Sequence, residues 1–474
     1  MSGKAFAFDL LDATDELLRG EGLDGKIVWW KQSLSTLLSA RGPINLPTVT
    51  RGQLVRVSIC DEEKREGSFE ITSPNIRHIQ RALKRAKGLL PETPPNPYAG
   101  DLVEPPIDLP EERLIAYDED TAAGELDRRV EFFQKVNKIA GHARLVASAR
   151  FYTGEAEIAV GNTLGLRRYH RFTIASCELV LLGVPNSGNR HVSAFAARSG
   201  KSLDDIDTDE IIMEALESAT LQMRLPFMDP FHGIPNGGKT FDVILRPYAL
   251  QAWLWWLSWF GFSGVSLHNE TSLLTGNIGE LVTAKDVTIM DDWRYEHMIP
   301  APFDTEGMTR ERVALIERGV AKGVVCDGAT SKKSGLPRTG HAVLTNNSDY
   351  PFYPAPLHLV FEGGPHSFED LIDSCEKPTI LIPFFNYPSM PDPRTGIFTA
   401  TSRHGTLLIE GGKFRYVLPP LRFLERTLDA FGRIEMKTKP KLVISQDQYD
   451  GIEPSSYAVP AIKIRDMHFT ESVT

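Results

Sequence analysis

Residues 145–200 read LVASARFYTGEAEIAVGNTLGLRRYHRFTIASCELVLLGVPNSGNRHVSAFAARSG, and the alternation in this stretch decides the fold class. Leu145, Ala147, Ala149 and Phe151 alternate with Val146, Ser148, Arg150 and Tyr152, the period of two that a strand requires. AEIAVGN (156–162), RFTIASCELVLLGV (171–184) and HVSAFAARSG (191–200) read as further strands, with turn residues in NTLG and NSGN between them. Sequential strands joined by short turns predict an antiparallel meander. Helical periodicity flanks it on both sides. Leu126, Val130, Phe133 and Val136 recur at three-to-four spacing within 122–140, which Gly141 stops. Asp207 and Glu210 precede Ile211, Ala215, Ala219 and Met223, the signature of a capped helix ending near Arg224. The helix, strands, helix order predicts an α+β first half.

Further out, residues 76–90 put Ile76, Ile79, Leu83 and Leu90 on one helical face and Arg77, Arg81, Lys84, Arg85 and Lys87 on the others. Such a basic face is usually a solvated one. PETPPNPYAGDLVEPPIDLP (91–110) is too rich in proline for a helix or a central strand and runs over the surface. PFMDPFHGIPNGGK (226–239) separates the halves, giving an N-terminal domain over 1–235 and a C-terminal one over 236–474. The second domain opens with the strand FDVILR and a charge-free helix from Pro247, about 14 residues long, whose Trp253, Trp255, Trp256 and Trp259 read as core. Strands then dominate: HLVFEGG, TILIPFF, GIFTATS, GTLLIEGG, FRYVLP, KLVIS and VPAIKIRDM, with a hairpin turn at EGGK (410–413). One helix is capped by Ser367, and another is expected from Leu421 to Phe431, stopped by Gly432. The expected architecture is α+β in two domains, N-terminal helices on a mostly antiparallel sheet and a C-terminal domain built on a large curved antiparallel sheet.

Sixty-two acidic against 52 basic side chains in 474 residues give a formal charge of −10, the wrong sign for affinity drawn from phosphate contacts, so nucleic acid is excluded as the main partner. Cys60, Cys177, Cys326 and Cys375 lie far apart with no CxxC, which fits a reducing cytoplasm. The N-terminal MSGKAFAFDLLDATDELL carries acidic residues through its apolar part, so it reads as a first helix rather than a signal peptide. Pro247–Leu267 is uncharged over a length that could span a bilayer. Its polar residues and its glycine-serine turn argue instead for a buried helix and no membrane partner.

Twelve histidines are scattered without HExxH, HExxxH or another close pair on one helix, and GxSxG, Walker A and strand-linked GxGxxG are absent. The candidate site residues are therefore single groups in polar loops. His268 and Glu270 follow the turn after the uncharged helix. Arg338 and His341 lie in LPRTGHA, and Arg394, Arg403 and His404 in DPRTG and SRHG. Glycine-containing loops of this kind can present cations to a carboxylate or a peptide end. Turn residues on a solvated edge are the alternative.

Several segments taken in order resemble the TldD/PmbA family, also called peptidase family U62 or modulator of DNA gyrase proteins. They are ASARFYTGEAEIAVGNTLGL, RFTIASCELVLLG, NETSLLTGNIGELVTAKDVTIMDD, APFDTEGMTRERVALIERGVAKGVV, SKKSGLPRTGHAV and PDPRTGIFTATSRHGTLLIEGGKF. The resemblance covers about residues 70–470 and is densest over 268–330. It implies one of two subunit types. The TldD type carries HExxxH on the helix before the segment that reads TSLLTGNIGE here, and a cysteine ligand near its C-terminus. In this chain that helix reads AWLWWLSWFGFSG, and no cysteine follows Cys375. The resemblance therefore points to the PmbA (TldE) type, with no metal and no catalytic residue of its own. Zinc or a similar divalent metal would sit on a TldD-type partner in a heterodimer that cleaves an extended peptide or small amide. His268, Glu270, Arg338, His341, Arg403 and His404 would line the shared cavity. Sheet edges of the second domain could hold substrate by strand addition. TATSRHG and FFNYPSMPDPRTG depart from the family pattern, which fits a member specialised for one peptide or small-molecule biosynthetic intermediate. A stand-alone binding or scaffold protein, or an autonomous enzyme using His268, Glu270, His341 or His404, are the other readings.

Overall fold

The computed structural model describes residues 3–42, 44–105, 116–184, 188, 190–233, 239–344, 352–444, 452, 454 and 455–472. The NSGN turn and residues 106–110 of the proline-dense stretch lie largely outside them, as does part of the 226–239 separator.

The first half runs α1 (Gly3–Gly20), β1 (Asp24–Ala40), β2 (Ile44–Cys60), β3 (Glu66–Ile71) and α2 (Ile76–Leu89). It continues with α3 (Glu119–Ala123), α4 (Leu126–His142), β4 (Leu145–Asn162), β5 (Arg167–Gly183), β6 (Ser193–Gly200) and α5 (Thr208–Arg224). The strands form one sheet in the order β3-β2-β1-β4-β5-β6, antiparallel throughout. The meander is as expected, with two differences. β1 and β2 emerge only in the structure. Residues 145–152 and 156–162 are one unbroken 18-residue strand rather than two. Gly154, inside this strand, is a point of close approach: a Cβ there would stand 2.6 Å from Ile452 Cδ1 of the second half. Asp207 caps α5 as expected, accepting from the backbone N–H groups of Asp209 and Glu210.

The pleat sorts this sheet into two faces. Ile27, Trp29, Val55, Val57 and Ala159 pack under α1 and α2. On the same face Leu37, Ala147, Ala149, Phe151 and Ala175 pack under α4 and α5. The opposite face, with Tyr152, Ala156, Phe172 and Ile174, meets Ile299, Ile444 and Ile452. The second half therefore covers the face that the helices leave bare.

That half runs α6 (Pro230–Gly233), β7 (Thr240–Leu245), α7 (Pro247–Phe260), α8 (Gly264–His268), β8 (Ile289–Asp291), β9 (Val313–Glu317), β10 (Val320–Ala321) and α9 (Gly328–Ser334). Next come β11 (Ala342–Leu344), β12 (Phe352–Pro354), β13 (Leu359–Phe361), α10 (Phe368–Asp373), β14 (Thr379–Ile382), β15 (Phe384–Asp392) and β16 (Ile397–Arg403). It ends with β17 (Leu407–Glu410), β18 (Lys413–Val417), β19 (Leu421–Arg426), α11 (Thr427–Phe431), β20 (Ile434–Lys437), β21 (Lys441–Ile444), β22 (Ser456–Val459) and β23 (Ile462–Ser472). The main sheet is β15-β16-β19-β23-β7-β14-β17-β18 with β20 beside β23, and a second is β10-β9-β8-β13-β22-β21. Both are antiparallel except where β7 meets β14 and β13 meets β22. The EGGK hairpin forms as read, with Gly411 and Gly412 at φ +58 and +67. The helix expected over 421–431 is mostly strand: Leu421, Phe423 and Glu425 are buried while Arg422, Leu424 and Arg426 are exposed, a period of two that a helix cannot satisfy.

α7 begins with Pro247 at its first position and ends at Gly261, matching the expected length. Its Trp253 is wholly buried, stacked on Phe398 at 4.5 Å, with Nε1 donating to Thr427 Oγ1 at 2.9 Å. Among the described residues no helix is long and apolar enough to cross a membrane. All four cysteines are free and buried.

Candidate functional site

α7 carries no His and no Glu, and its outward side is aromatic. Trp255 meets Trp256 edge-on at 5.5 Å and Trp259 at 6.2 Å, while Trp256 stacks on Phe260 at 5.5 Å. Unlike Trp253 these rings are only half-buried, and Phe260 is exposed, so the tryptophans divide between core and surface. Among the described residues, no three or more His, Cys, Asp or Glu side chains are grouped to hold a metal ion.

Beyond α7 the chain turns through α8 beside a cleft of about 300 Å³. Leu267, Ile278, Val324 and Leu336 give it an apolar floor, and Glu311, Arg312 and Lys322 a charged rim. His268 and Glu270 follow Leu267 and are exposed, Glu270 in a left-handed backbone at φ +57. Arg338 sits between the lining residues Pro337 and Thr339, but its guanidinium turns inward. It donates to Glu306 Oε2 at 2.6 Å and Asp101 Oδ2 at 3.2 Å.

Glu306 is the hub of a buried ionic cluster. Its Oε1 accepts from Lys26 Nζ of β1 at 2.6 Å and its Oε2 also accepts from the Gly328 N–H at 2.9 Å, so one carboxylate ties the first sheet to α9 and Arg338. Burial pushes its carboxyl up, but Lys26 and Arg338 overcome that and hold it at about 2. Asp304, two residues away, accepts from the N–H groups of Glu306, Met308 and Ala342. Burial, then the Glu306 charge, pushes it up to about 6. The same two causes raise Asp327, whose Oδ1 caps α9 by accepting from the Thr330 N–H at 2.7 Å.

The other predicted residues lie apart from the cleft. His341 is fully buried, Nε2 against Asp291 Oδ1 at 3.0 Å and Nδ1 against the Thr339 carbonyl at 2.7 Å, so both ring nitrogens are engaged within the core. Asp291 in turn accepts from the His358 N–H at 2.8 Å. His404 packs against the first sheet: Nδ1 lies 2.9 Å from Ser193 Oγ of β6, and the ring stacks on Phe195. Burial, then the Arg403 charge, lowers it to about 3, so it is neutral near pH 7. Arg403 itself is exposed and donates to Asn386 Oδ1 at 3.0 Å. Arg394 reaches the carbonyl of Thr275 at 2.9 Å and pins the β15–β16 turn to the 272–275 loop. The structure thus leaves His268 and Glu270 exposed just beyond the cleft residue Leu267, turns the Arg338 guanidinium away from the cleft into an ionic cluster, and seats His404 at a seam between the halves with Arg403 exposed beside it. Loop position had not revealed the Glu306 hub. Its signal was the acidic pair in DTEG (304–307), while Lys26 lies 280 residues away in sequence and carries none.

The family description "PmbA/TldA metallopeptidase central domain" matches residues 104–223, and "PmbA/TldA metallopeptidase C-terminal domain" matches 238–471. A protein from Haemophilus influenzae described as a metalloprotease TldD homolog is 30% identical over 218 residues, 44% of this chain and 43% of that one. A metalloprotease from Archaeoglobus fulgidus is 26% identical over 165 residues, 35% of this chain and 37% of that one. The chain thus spans less than half the length of these relatives. The crystal structure of TldE from Thermococcus kodakarensis superposes with a TM-score of 0.79 at 18% identity, covering 98% of this chain and all of that one.

Proposed function

This chain belongs to the PmbA/TldD metallopeptidase family, and we propose that within it the chain is the metal-less, TldE-type subunit of a heterodimeric peptidase or amide hydrolase. The observation that carries this reading is α7, where Trp255, Trp256, Trp259 and Phe260 occupy the outward side of the helix that HExxxH would need, and no cysteine follows Cys375. A hydrolytic zinc needs about three protein ligands and an open position, which side chains of this kind cannot supply. The metal and the base come from a TldD-type partner. This chain contributes wall and closure, excluding water from a cavity that holds an extended peptide or small amide. The 300 Å³ cleft beside α8 is its contribution to substrate contact, with the floor residues Leu267 and Leu336 facing the substrate and the exposed His268 and Glu270 next in the chain after Leu267. The departures at TATSRHG and FFNYPSMPDPRTG favour a specialised peptide or natural-product substrate.

The test is co-expression with an HExxxH-bearing relative from the same genome, followed by size-exclusion mass and metal content of this chain alone and of the mixture. The expected result is a complex of roughly twice this chain's mass that holds metal and cleaves peptide, with a metal-free, inactive chain on its own. Stoichiometric zinc and turnover on the isolated chain would sink the proposal.

A further inference from the structure

The walls of the cleft beside α8 are pinned by backbone bonds. On one side the chain enters β9, and the Glu311 N–H donates to the Thr339 carbonyl at 3.1 Å. On the other it leaves β10, and the Lys322 N–H donates to the Leu315 carbonyl at 2.9 Å. Walls held in this way need little ordering when a ligand arrives. The mouth is accessible, since the lining residues Glu311, Ala314, Lys322 and Pro337 are all exposed. At about 300 Å³ the cleft stands at the lower end of the range for ligand pockets, about 300–1,000 Å³, so it suits one aliphatic group and the polar group beside it.

The three charges on its rim are not equivalent. The Arg312 guanidinium lies 3.4 Å from Asp292 Oδ2 and 3.0 Å from the Met290 sulfur, and neither residue lines the cleft. Lys322 Nζ lies 3.3 Å from Glu317 Oε2, which is also outside the lining. Both rim cations are thus already answered by a carboxylate. Glu311 is not: among the described residues its carboxylate forms no ion pair and no hydrogen bond. Glu280, two residues past the lining residue Ile278, accepts through its carbonyl from the Ala321 N–H at 3.0 Å and is likewise exposed without a cation. The unmet charge at the mouth is therefore negative, above a floor of Leu267, Ile278, Val324 and Leu336.

We propose that this cleft recognises a primary ammonium joined to an aliphatic group, with the aliphatic part on Leu267, Val324 and Leu336 and the ammonium at Glu311. The proposal rests on the reading of the cleft as this subunit's substrate-contact surface and names what that surface selects. Two parts of a peptide carry this chemistry. One is an N-terminal residue with a leucine-sized side chain, and the other is a lysine, whose stem lies on apolar surface while its head stays in water. A carboxylate in the same place would face Glu311 and find both rim cations engaged elsewhere. Glu311 is then a specificity residue rather than a catalytic one.

Ligand-observed NMR titration of the full chain compares L-leucinamide, Nα-acetyl-lysinamide, N-acetyl-leucinamide and N-acetyl-leucine, which present an α-ammonium, a side-chain ammonium, no charge and a carboxylate. At least one ammonium ligand should bind saturably and about two- to fivefold tighter than neutral N-acetyl-leucinamide, the worth of one exposed ion pair, with N-acetyl-leucine weakest. The tighter of the two ammonium ligands identifies the group as a peptide N-terminus or a lysine. Glu311→Gln, at an exposed position, should bring that ligand down to the affinity of the neutral one and leave the neutral one unchanged. Leu336→Ala should weaken every ligand that binds, which places binding in this cleft. Absence of saturable binding by both ammonium ligands, affinity for N-acetyl-leucine equal to theirs or higher, or wild-type behaviour of E311Q or L336A overturns the proposal. The subunit reading is decided separately, by complex formation and turnover with an HExxxH-bearing partner. A complex that cleaves peptide while E311Q binds as wild type keeps that reading and removes this one.

Discussion

Glu306→Gln tests whether the buried hub locks the two halves together. The wild-type carboxylate holds Lys26 at 2.6 Å and Arg338 at 2.6 Å, both side chains only 16% exposed, and accepts from the Gly328 N–H. Glutamine keeps the shape but removes the charge and turns an amide donor toward a cation. Breaking one partner of a buried pair costs about 3–5 kcal/mol, and because Arg338 keeps Asp101 at 3.2 Å the loss should fall near the lower end. At roughly 2–4 °C per kcal/mol for a domain of this size, the melting temperature drops by about 6–12 °C. The pH profile is the sharper readout. Glu306 titrates in the folded state at about 2, below its ordinary 4.5, so its stabilisation is present above that ordinary value and lost as pH falls toward 2. Asp304 titrates at about 6, above its ordinary 3.8, so its share of stability is lost as pH rises between those values, and Glu306 is one cause of the raised titration. The gap between wild type and E306Q should therefore be widest near about pH 5 and narrow toward both pH 2 and pH 7. Urea unfolding followed by tryptophan fluorescence at several pH values measures it. A gap below about 1 kcal/mol at pH 5, or one that is flat with pH, refutes the hub.

Three further outcomes follow from the same geometry. Trp253→Ala, which removes a ring stacked at 4.5 Å on Phe398 and a bond to Thr427, should cost about 3–5 kcal/mol in denaturant unfolding, and half-buried Trp255→Ala clearly less. Equal costs would mean that both faces of α7 are core. His170, His358 and His404 are lowered by burial to about 4, 4 and 3 from an ordinary 6.5, so the unfolded chain takes up protons that the folded one refuses. Stability should fall as pH drops below about 6.5, these three groups outweighing the opposite contribution of Asp304, and a melting temperature constant from pH 7 to 5 contradicts this. Gly154→Val forces a branched side chain against Ile452 and Leu34 and should destabilise by about 1–3 kcal/mol, where a neutral result would show that the halves meet less closely than the structure has them.

Much of the fold could be read because one-sided burial writes a period into sequence. The start of β4 alternates because only its helix-covered face is buried there, and α5 declares itself by Asp207. β1 and β2 resisted because the middle of each is polar on the helix-covered face, where Lys31, Ser33, Arg51 and Gln53 stand in place of apolar residues. At 421–426 the fault was different: Leu424 is exposed and Glu425 buried against Arg433, so hydrophobicity alone mistook the period.

The site residues show the complementary limit. A histidine in a glycine loop looks the same in sequence whether it is exposed, as His268 is, or closes a core hydrogen-bond chain, as His341 does with Asp291 and Thr339. What separates them is the partner, and Asp291 lies 50 residues from His341. Glu306 and Arg338 make the same point for charge, since a lone DTEG is a turn until Lys26 and Arg338 arrive from elsewhere in the chain. α7 is the exception, because its chemistry depends on which residue types are present rather than on who meets them. A helix ending in WWLSWF cannot ligate zinc in any surroundings, whereas its aromatic outer side can pack against a second protein surface. On the proposed reading the metal comes from that second surface, so the feature that leaves this helix without ligands would also be the one that meets the partner.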